Sequence, residues 1–359
     1  MGDLFSPIDI GTMRVPNRFV RSATHAYMAP EDGSMSEREI ALAEGLALGG
    51  VGLVVMGHAY VRKDGKCSAG MVGLDSDEKI EGFARVARRV HAAAGANGTK
   101  VVAQINFGGA QASIPQAGPR LLAPSARDDV AEAHAFSEPE AEELIHVYVE
   151  AARRARDAGL DGVQLHGAHG YFLNQTLSPR TNRRSDRYGG SLEGRSRLLK
   201  EVIVGIRECL GRGFPLLMKI ASHDGLPDGL TLEDCVAVVA MAEGWGLDAI
   251  EVSGGMRSGM NMRRPRTQSD EGYFLAQAAA IKARVRMPVI SVHGYRTLSV
   301  MRDAVGSGGA DMIALCRPLI CEPDLVKRLQ AGQEKAACIS CNECGKKALE
   351  HGLQCWLER

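Results

Sequence analysis

Three side chains that can hydrogen-bond a substrate and transfer a proton stand close together near the middle of the chain. His166, His169 and Tyr171 follow the short apolar run at residues 162–165. Two neutral imidazoles held together can both donate hydrogen bonds to one carbonyl or carboxylate oxygen, and a nearby phenol can supply a proton to an adjacent carbon. The spacing His-x-x-His-x-Tyr therefore predicts an active-site rim that polarises and protonates a bound compound.

Two other interpretations of these histidines have to be weighed. A single histidine is often a core residue whose ring nitrogens bind backbone groups, but here two histidines and a tyrosine share one loop with Asn174, Arg180 and Asp186. That concentration favours the functional interpretation. A zinc site at His-x-x-His would need further ligands, and the neighbouring sequence offers no obvious third one.

A second group of reactive side chains is a run of cysteines. Four of the nine cysteines have the spacing C-x2-C-x2-C-x10-C, and they are Cys338, Cys341, Cys344 and Cys355. Four thiolates can ligate an iron–sulfur cubane or a tetrahedral zinc ion. We expect a 4Fe-4S cluster, with zinc or no metal as the alternatives, because crowding of this kind is not typical of a secreted disulfide scaffold.

The elements that must position these groups repeat along the chain. A helix-like segment, a glycine break and a short apolar run recur, with room for a helix between successive runs. The eight runs lie at residues 18–23, 48–56, 100–106, 158–165, 215–221, 245–252, 288–292 and 308–315. The pattern predicts an α/β fold, a single-domain (β/α)8 TIM barrel over residues 1–330, with residues 331–359 as a cysteine-rich extension packed on it.

Local signals support the predicted helices and one long loop. Ser137-Glu-Pro-Glu140 is predicted to be a capping box that opens the helix ending at Ala158, and Thr231-Leu-Glu-Asp234 is predicted to open the helix over residues 236–245. The Gly-, Pro- and Ala-rich stretch between residues 106 and 137 has weak periodicity, and we expect it to be a loop that covers the site.

In a barrel of this kind the reactive residues stand at the C-terminal ends of the strands, and the last two strands usually grip a phosphate. Those strands end at His293-Gly294 and at Cys316-Arg317. Backbone amides of His293, Gly294 and Cys316 can approach phosphate oxygens, and Arg317 can add a charge-assisted hydrogen bond. The two motifs therefore predict a phosphate site.

The stretch that begins at Asp161 carries a long resemblance. Its Asp-Gly-Val-Gln-Leu-His-Gly-Ala-His-Gly-Tyr block and the Leu-Ser-Pro-Arg-Thr-Asn-Arg-Arg-Ser-Asp-Arg-Tyr-Gly-Gly-Ser-Leu-Glu-Gly-Arg run ending at Arg195 resemble the central block of the Old Yellow Enzyme family of FMN-dependent ene-reductases. The chain resembles in particular the branch that includes bacterial 2,4-dienoyl-CoA reductase and trimethylamine dehydrogenase. The resemblance runs from Leu4 to Cys355.

The resemblance implies that FMN binds at the strand ends, with its phosphate at the site described above. The residues implied to contact FMN are Ser22, Ala23, Thr24, Gly57, His58, Gln104, Lys219, His293, Gly294, Cys316 and Arg317, and those implied to face the substrate are His25, Tyr27, His166 and His169. The chain departs from the family at His25, where relatives often have Cys or Thr, and at His293, where many have Gly. At Lys219 much of the family has Arg, and lysine still supplies a cation near the flavin N1.

The same resemblance implies a reaction: NAD(P)H-driven reduction of the C=C bond of α,β-unsaturated carbonyl compounds by a ping-pong mechanism. His166 and His169 would hold the carbonyl oxygen, and Tyr171 would protonate the α-carbon. The alternative is an amine dehydrogenase or N-demethylase that passes electrons through the cysteine cluster to a partner protein. A third hypothesis is a non-enzymatic metal-binding module, against which the eight predicted strands with a polar rim argue.

The charge balance limits the partners. Forty-three basic residues balance 43 acidic ones, and no long block of like charge is present, so we expect a small-molecule substrate and neither nucleic acid nor a membrane surface as partner. With no leader-like or membrane-spanning apolar run, we expect a cytoplasmic protein. The identity of the substrate, the choice between NADH and NADPH, and whether the chain forms a homo-oligomer stay open.

Overall fold

The computed structural model describes residues 3–95, 98–256, 265 and 267–357. The strands are β1 (Ile8–Ile10), β2 (Met13–Val15), β3 (Phe19–Arg21), β4 (Leu53–Val55), β5 (Ala59–Tyr60), β6 (Lys100–Asn106), β7 (Leu121–Ala123), β8 (Ala133–Ala135), β9 (Gly162–Gly167), β10 (Leu216–Ala221), β11 (Ala249–Ser253), β12 (Val289–Val292) and β13 (Met312–Leu315). The helices are α1 (Glu37–Leu48), α2 (Ile80–Ala94), α3 (Ile114–Ala117), α4 (Glu138–Asp157), α5 (Phe172–Leu177), α6 (Leu192–Leu210), α7 (Leu232–Trp245), α8 (Leu275–Lys282), α9 (Leu298–Gly306), α10 (Arg317–Cys321), α11 (Leu325–Gln330), α12 (Glu343–Lys346) and α13 (Ala348–His351).

Eight parallel strands close into a barrel. Their order is β3, β4, β6, β9, β10, β11, β12 and β13, and β13 pairs with β3 to close the ring. Each lies within, or extends by at most two residues beyond, one of the eight predicted runs, so the predicted (β/α)8 barrel is confirmed. Parallel strands buried on both faces read as short continuous apolar runs, which is why the pattern could be recognised without strict alternation.

Side-chain caps explain where the main helices begin. Ser137 accepts a hydrogen bond from the Glu140 amide while the Glu140 side chain binds the Ser137 amide, which confirms the predicted capping box of α4. At α7 the Thr231 side chain accepts from the Asp234 amide, as predicted, and the helix starts four residues before the predicted segment. A capping serine each leads into α1 and α6 as well.

Two apolar layers hold the barrel together. Inside it, alternate strand residues such as Val20, Val102 and Ile290 pack against the hairpin formed by β1 and β2, which contributes Ile10 and Val15. Outside it, the second set of strand residues packs against the inner faces of the helices in a continuous cluster. The hairpin therefore closes the N-terminal end of the barrel, and the C-terminal end is the one expected to carry the functional site.

The stretch between β6 and α4 is more ordered than the predicted loop. It contains the short helix α3 and the two parallel strands β7 and β8. It reaches the predicted site, because Gln111 Nε2 donates to the carbonyl oxygen of His169 (3.2 Å) and the Phe107 carbonyl oxygen accepts from the Phe172 amide (3.1 Å). The stretch is therefore one wall of the site.

Residues 331–357 run back over the barrel. Ala348 and Leu353 pack with Ala26 and Ile320 in a small apolar cluster, and the Leu353 amide donates to the Ala26 carbonyl oxygen (2.9 Å). Among the residues that the structure describes, no helix combines the length and apolarity that crossing a bilayer would require.

Candidate active site

The C-terminal end of β9 brings the three predicted catalytic residues together. The His166 ring centroid lies 5.1 Å from that of His169 and 4.8 Å from that of Tyr171. His166 is the penultimate residue of β9, and Tyr171 stands directly before α5. The predicted grouping of two imidazoles and one phenol is therefore present at the barrel mouth.

An unusual backbone turn aims the loop between β9 and α5. His169 and Gly170 both have left-handed backbone angles (φ 64° and 78°), and for histidine this conformation is uncommon. Two buried side-chain amides of α5 stabilise the turn. Asn174 Oδ1 accepts from the backbone N–H of Gly170 (2.7 Å), and Gln175 Nε2 donates to the Gly170 carbonyl oxygen (2.6 Å). Asn174 Nδ2 donates in turn to Asp224 (3.1 Å). The sequence interpretation noted Asn174 only as part of a polar run and missed Gln175 and Asp224.

The imidazoles of this loop are neutral. Burial, followed by the charges of neighbouring histidines and Lys219, holds the pKa of His166 well below its ordinary value. Burial and then Lys219 lower the pKa of His169 to about 3. His166 Nδ1 accepts a hydrogen bond from the Ala168 amide (3.3 Å), so the ring proton is on Nε2. His166 can therefore donate to a substrate oxygen at neutral pH.

His169 has a partner that the motif did not indicate. Its Nε2 is hydrogen-bonded to Ser253 Oγ at 2.8 Å, and Ser253 is the last residue of β11, 84 positions away. No local signal marks Ser253, because a serine at the end of an apolar strand is common. Only closure of the barrel brings it to the ring.

His58, which the resemblance placed against FMN, lies in the same ring cluster. Its centroid is 5.1 Å from that of Tyr171 and 5.7 Å from that of His166. Asn106 Nδ2 donates to His58 Nδ1 (3.0 Å), and burial followed by the charge of Lys219 lowers the pKa of His58 to about 4. His58 is therefore a further neutral imidazole with its proton on Nε2.

Of the four residues expected to face the substrate, the two near the end of β3 are His25, which lies beside His58, and Tyr27, which lies against His25. The His25 ring centroid is 5.1 Å from that of His58 and 3.7 Å from that of Tyr27, which itself has a left-handed backbone (φ 55°). His25 Nε2 is hydrogen-bonded to Ser68 Oγ (2.6 Å), and burial holds its pKa well below the ordinary value. The departure from the family at His25 thus ties the end of β3 to the segment that follows β5.

A polar network crosses the barrel beneath these rings. Gln104 Nε2 donates to Gln164 (2.7 Å), Gln164 Nε2 donates to Glu251 (3.0 Å), and Glu251 accepts from Ser22 Oγ (2.6 Å). Lys219 Nζ donates to Ser22 Oγ (2.9 Å). The structure therefore brings together three residues that the resemblance assigned to FMN, Ser22, Gln104 and Lys219, and adds Gln164 and Glu251, which sequence reasoning missed. The Ser22 hydroxyl proton is used within the network, and the Ser22 amide donates to the Leu315 carbonyl oxygen (3.0 Å).

The remaining residues at the ends of β3 and β4 fit close together. Thr24 Oγ1 donates to the Ser22 carbonyl oxygen (3.0 Å), and Ala23 between them is half-buried. A Cβ atom on Gly57 would lie 2.7 Å from the Thr24 carbonyl oxygen, so only glycine fits without displacing that strand end. These positions offer backbone groups and little side-chain bulk.

The predicted phosphate residues surround a cavity of about 300 Å³ that opens between the ends of β12 and β13. His293, Gly294, Cys316 and Arg317 all line it, together with Thr24. His293 has a left-handed backbone (φ 98°), and its buried Nε2 has no hydrogen-bond partner among the described residues. Burial, then the charge of Arg317, lowers its pKa to about 4. A guanidinium, glycine backbone and an unpaired ring nitrogen around one cavity fit a phosphate-bearing cofactor.

The four predicted metal-ligating cysteines line one small apolar cavity together with Cys321 and Trp356. Burial raises the pKa of Cys338, and burial followed by the neighbouring cysteines raises that of Cys344 to about 11. Within the described residues no three Cys, His, Asp or Glu side chains are arranged as ligands around one point. The donor chemistry therefore fits a metal site, whereas the described arrangement does not form one.

Comparisons with known proteins agree with this geometry. A family model described as the NADH:flavin oxidoreductase / NADH oxidase family matches residues 3–336. The NADH oxidase of Thermoanaerobacter brockii is 35% identical over 351 residues, which cover 95% of this chain and 53% of that protein.

Two solved structures extend the comparison. The complex of 2-naphthoyl-CoA reductase with 2-naphthoyl-CoA has a TM-score of 0.89 and 28% identity, over 95% of this chain and 54% of that one. Histamine dehydrogenase from Rhizobium sp. 4-9 has a TM-score of 0.81 and 26% identity, over 92% of this chain and 48% of that one. The chain spans about half the length of these three proteins.

Proposed function

Because the chain belongs to the NADH:flavin oxidoreductase / NADH oxidase family, we propose that it is an FMN-dependent enzyme that uses NAD(P)H to reduce the C=C bond of α,β-unsaturated carbonyl compounds. The observation that carries the proposal is the cluster of neutral imidazoles around Tyr171 at the barrel mouth. A site of this kind can polarise an oxygen through neutral donors and protonate a carbon from the phenol, which then regains its proton from solvent.

The proposed FMN site uses the strand ends that surround this cluster. Arg317 and the backbone at His293 and Gly294 would hold the phosphate at the cavity between β12 and β13. Lys219 and Gln104 would face the flavin ring from below the imidazoles, as the family resemblance implies. When bound, FMN supplies the hydride that is added to the β-carbon of the substrate.

The residues of the β9–α5 loop would perform the remaining steps. The Nε2–H of His166 would donate to the carbonyl oxygen. His169, kept neutral by burial, would accept from Ser253 at Nε2 and donate to the same oxygen from Nδ1. These bonds strengthen as negative charge develops on that oxygen. Tyr171 supplies a proton to the α-carbon. In the ping-pong order, oxidised nicotinamide leaves before the carbonyl compound takes its place.

A visible spectrum tests the proposal directly. The purified protein should show flavin absorbance that NADH or NADPH bleaches under anaerobic conditions and that an enone such as cyclohexenone restores. A colourless protein that takes up no FMN would contradict the cofactor assignment. A protein whose reduced flavin reacts with oxygen but not with any enone or enoyl thioester would contradict the ene-reductase assignment alone.

The likeness to histamine dehydrogenase supports a second candidate with the reverse electron flow. In that case an amine or N-methyl compound would reduce the flavin and an electron-transfer partner would reoxidise it. One assay distinguishes the two candidates. In an amine dehydrogenase, addition of the amine in the absence of nicotinamide reduces the flavin and lowers its absorbance. Bleaching by NAD(P)H and recovery with an enone favour the first.

For the tail we propose a 4Fe-4S cluster on Cys338, Cys341, Cys344 and Cys355, supported by their spacing and by the single apolar cavity that all four line. Binding would require the thiols to move to common ligand positions. Iron and sulfide present together after anaerobic purification would support it. Zinc alone, or no metal under those conditions, would contradict it and leave the flavin proposal intact.

A further inference from the structure

A continuous chain of buried polar side chains lies across the barrel interior. Gln104, Gln164, Glu251, Ser22 and Lys219 are each at most 3% exposed and come from five different strands or strand ends. Glu251 stands at the centre, since one carboxylate oxygen accepts from Gln164 (3.0 Å) and the other from Ser22 (2.6 Å). Nothing in the proposed reaction uses Glu251 itself.

Glu251 forms a buried ion pair with Lys219. Their charged groups are 3.3 Å apart, and the two side chains are 0% and 4% exposed. The Ser22 hydroxyl bridges them, because it donates to Glu251 and accepts from Lys219. A buried pair of this kind contributes little net stability compared with apolar residues, so its presence points to a role beyond packing.

The charge of Lys219 reaches the groups above it. After burial, Lys219 is the next cause of the lowered pKa of both His58 and His169. Because the field of Lys219 extends to the histidine rings of the site, it would also act on a flavin bound at this site. The net field there depends on how far Glu251 offsets Lys219.

We infer that Glu251 helps to set the reduction potential of the bound flavin, because its negative charge offsets the field of Lys219 at the flavin. The inference rests on the proposed FMN site. Reduced flavin carries negative charge near N1. An uncompensated lysine would therefore stabilise the reduced flavin relative to the oxidised flavin. Glu251 offsets that cation and therefore keeps the flavin a stronger reductant than Lys219 alone would allow.

Midpoint potentials of the FMN-loaded protein test the inference through a cycle of variants. Glu251→Gln keeps the shape and most hydrogen bonds but leaves Lys219 uncompensated, so the reduced form should gain at least tenfold over the oxidised form, a positive shift of about 30 mV for a two-electron couple. Lys219→Met should shift the potential in the opposite direction. The double variant removes both charges and should return close to the wild-type potential.

Two variants that keep the charges act as controls. Glu251→Asp preserves the carboxylate, and Ser22→Ala breaks the bridge while leaving the ion pair, so both should shift the potential much less than Glu251→Gln. Equal shifts in Ser22→Ala and Glu251→Gln would show that the network acts only through packing. If Glu251→Gln does not fold, Lys219→Met and the double variant still give two corners of the cycle, and equal potentials for these two would overturn the inference.

The result is separable from the proposed function. A wild-type protein that binds FMN and reduces enones, but whose potential does not respond to Glu251→Gln, contradicts only the role of Glu251. A wild-type protein that takes up no FMN contradicts the proposed cofactor and this inference together.

Discussion

At the scale of single residues, the site depends on which groups carry protons. The rings of His58, His166 and His169 are held neutral mainly by burial, and hydrogen bonds from Asn106 and the Ala168 amide place the protons of two of them on Nε2. Neutral N–H groups can donate to an uncharged substrate without placing a further buried charge in the site. Tyr171 is then the group expected to give a proton away.

Tyr171→Phe should separate the two halves of the reaction. The ring is kept and only the proton is removed, so flavin reduction by NAD(P)H should be nearly normal while flavin reoxidation by an enone slows by roughly 10²–10⁴. Rapid mixing that follows flavin absorbance measures each half, and Tyr273→Phe, at an exposed tyrosine outside the ring cluster, is the matched control. Equal slowing of both halves would mean that the phenol is not the proton donor.

Arg317→Ala should weaken FMN retention. The variant removes a charge-assisted contact worth about 1.5–3 kcal/mol, which corresponds to roughly 10–150-fold in the dissociation constant. Fluorescence titration of the flavin-free protein with FMN and with riboflavin measures the effect, and only FMN binding should suffer. Arg302→Ala, on the exposed surface of α9, is the control. A similar loss for riboflavin would show that Arg317 does not act on the phosphate.

At the scale of elements, strand ends supply the reactive groups, and hydrogen bonds from side chains a few residues away orient them. β9 delivers His166, whereas α5 aims the loop beyond it through Asn174 and Gln175. The strand, the loop and its motif could be predicted locally. The contact from Asn174 to Asp224 could not, because it spans 50 residues and exists only once β9 and β10 are neighbours.

Asn174→Leu should damage turnover more than its effect on stability explains. It removes the partner of the Gly170 amide and of Asp224 Oδ1, which costs about 1–3 kcal/mol, and it frees the loop that carries Tyr171. Urea unfolding together with kcat for an enone measures both effects. Asn17→Leu removes a comparable amide from the opposite end of the barrel, where it binds Gly50 and the Phe19 amide. That variant should lose stability and keep kcat, and loss of kcat in both would contradict a local effect.

At the scale of the whole molecule, the buried imidazoles make the fold sensitive to acid. A histidine whose folded pKa is below its unfolded value of about 6.5 takes up a proton only on unfolding, so the free energy of unfolding falls as pH drops below about 6.5. The residues concerned are His25, His58, His166, His169 and His293. Glu39 acts in the opposite direction, since burial raises its pKa to about 7, and it offsets roughly one of the five.

Urea unfolding at pH 7.5 and pH 5.0 should therefore show a marked loss of stability in acid. For His293, whose pKa is lowered to about 4, the contribution lost at pH 5 is about 2 kcal/mol. His293→Asn should reduce the difference between the two pH values by about that amount, because asparagine tolerates the left-handed backbone and does not titrate. His134→Gln, at an exposed histidine, should leave the difference unchanged. A wild-type protein equally stable at both pH values would contradict the argument.

The amino-acid sequence by itself determined the barrel and the main chemical groups. Short apolar runs, glycine breaks and capping residues act over a few positions, so all eight strands and the grouping of His166, His169 and Tyr171 could be predicted. Tertiary structure alone decided the partners of these groups. Ser253 binds His169 across 84 positions, Gln164 binds Glu251 across 87, and Ser22 binds Glu251 across 229. Such pairs depend on strand register around a closed barrel, and local periodicity carries no information about which distant polar residues that closure brings into contact.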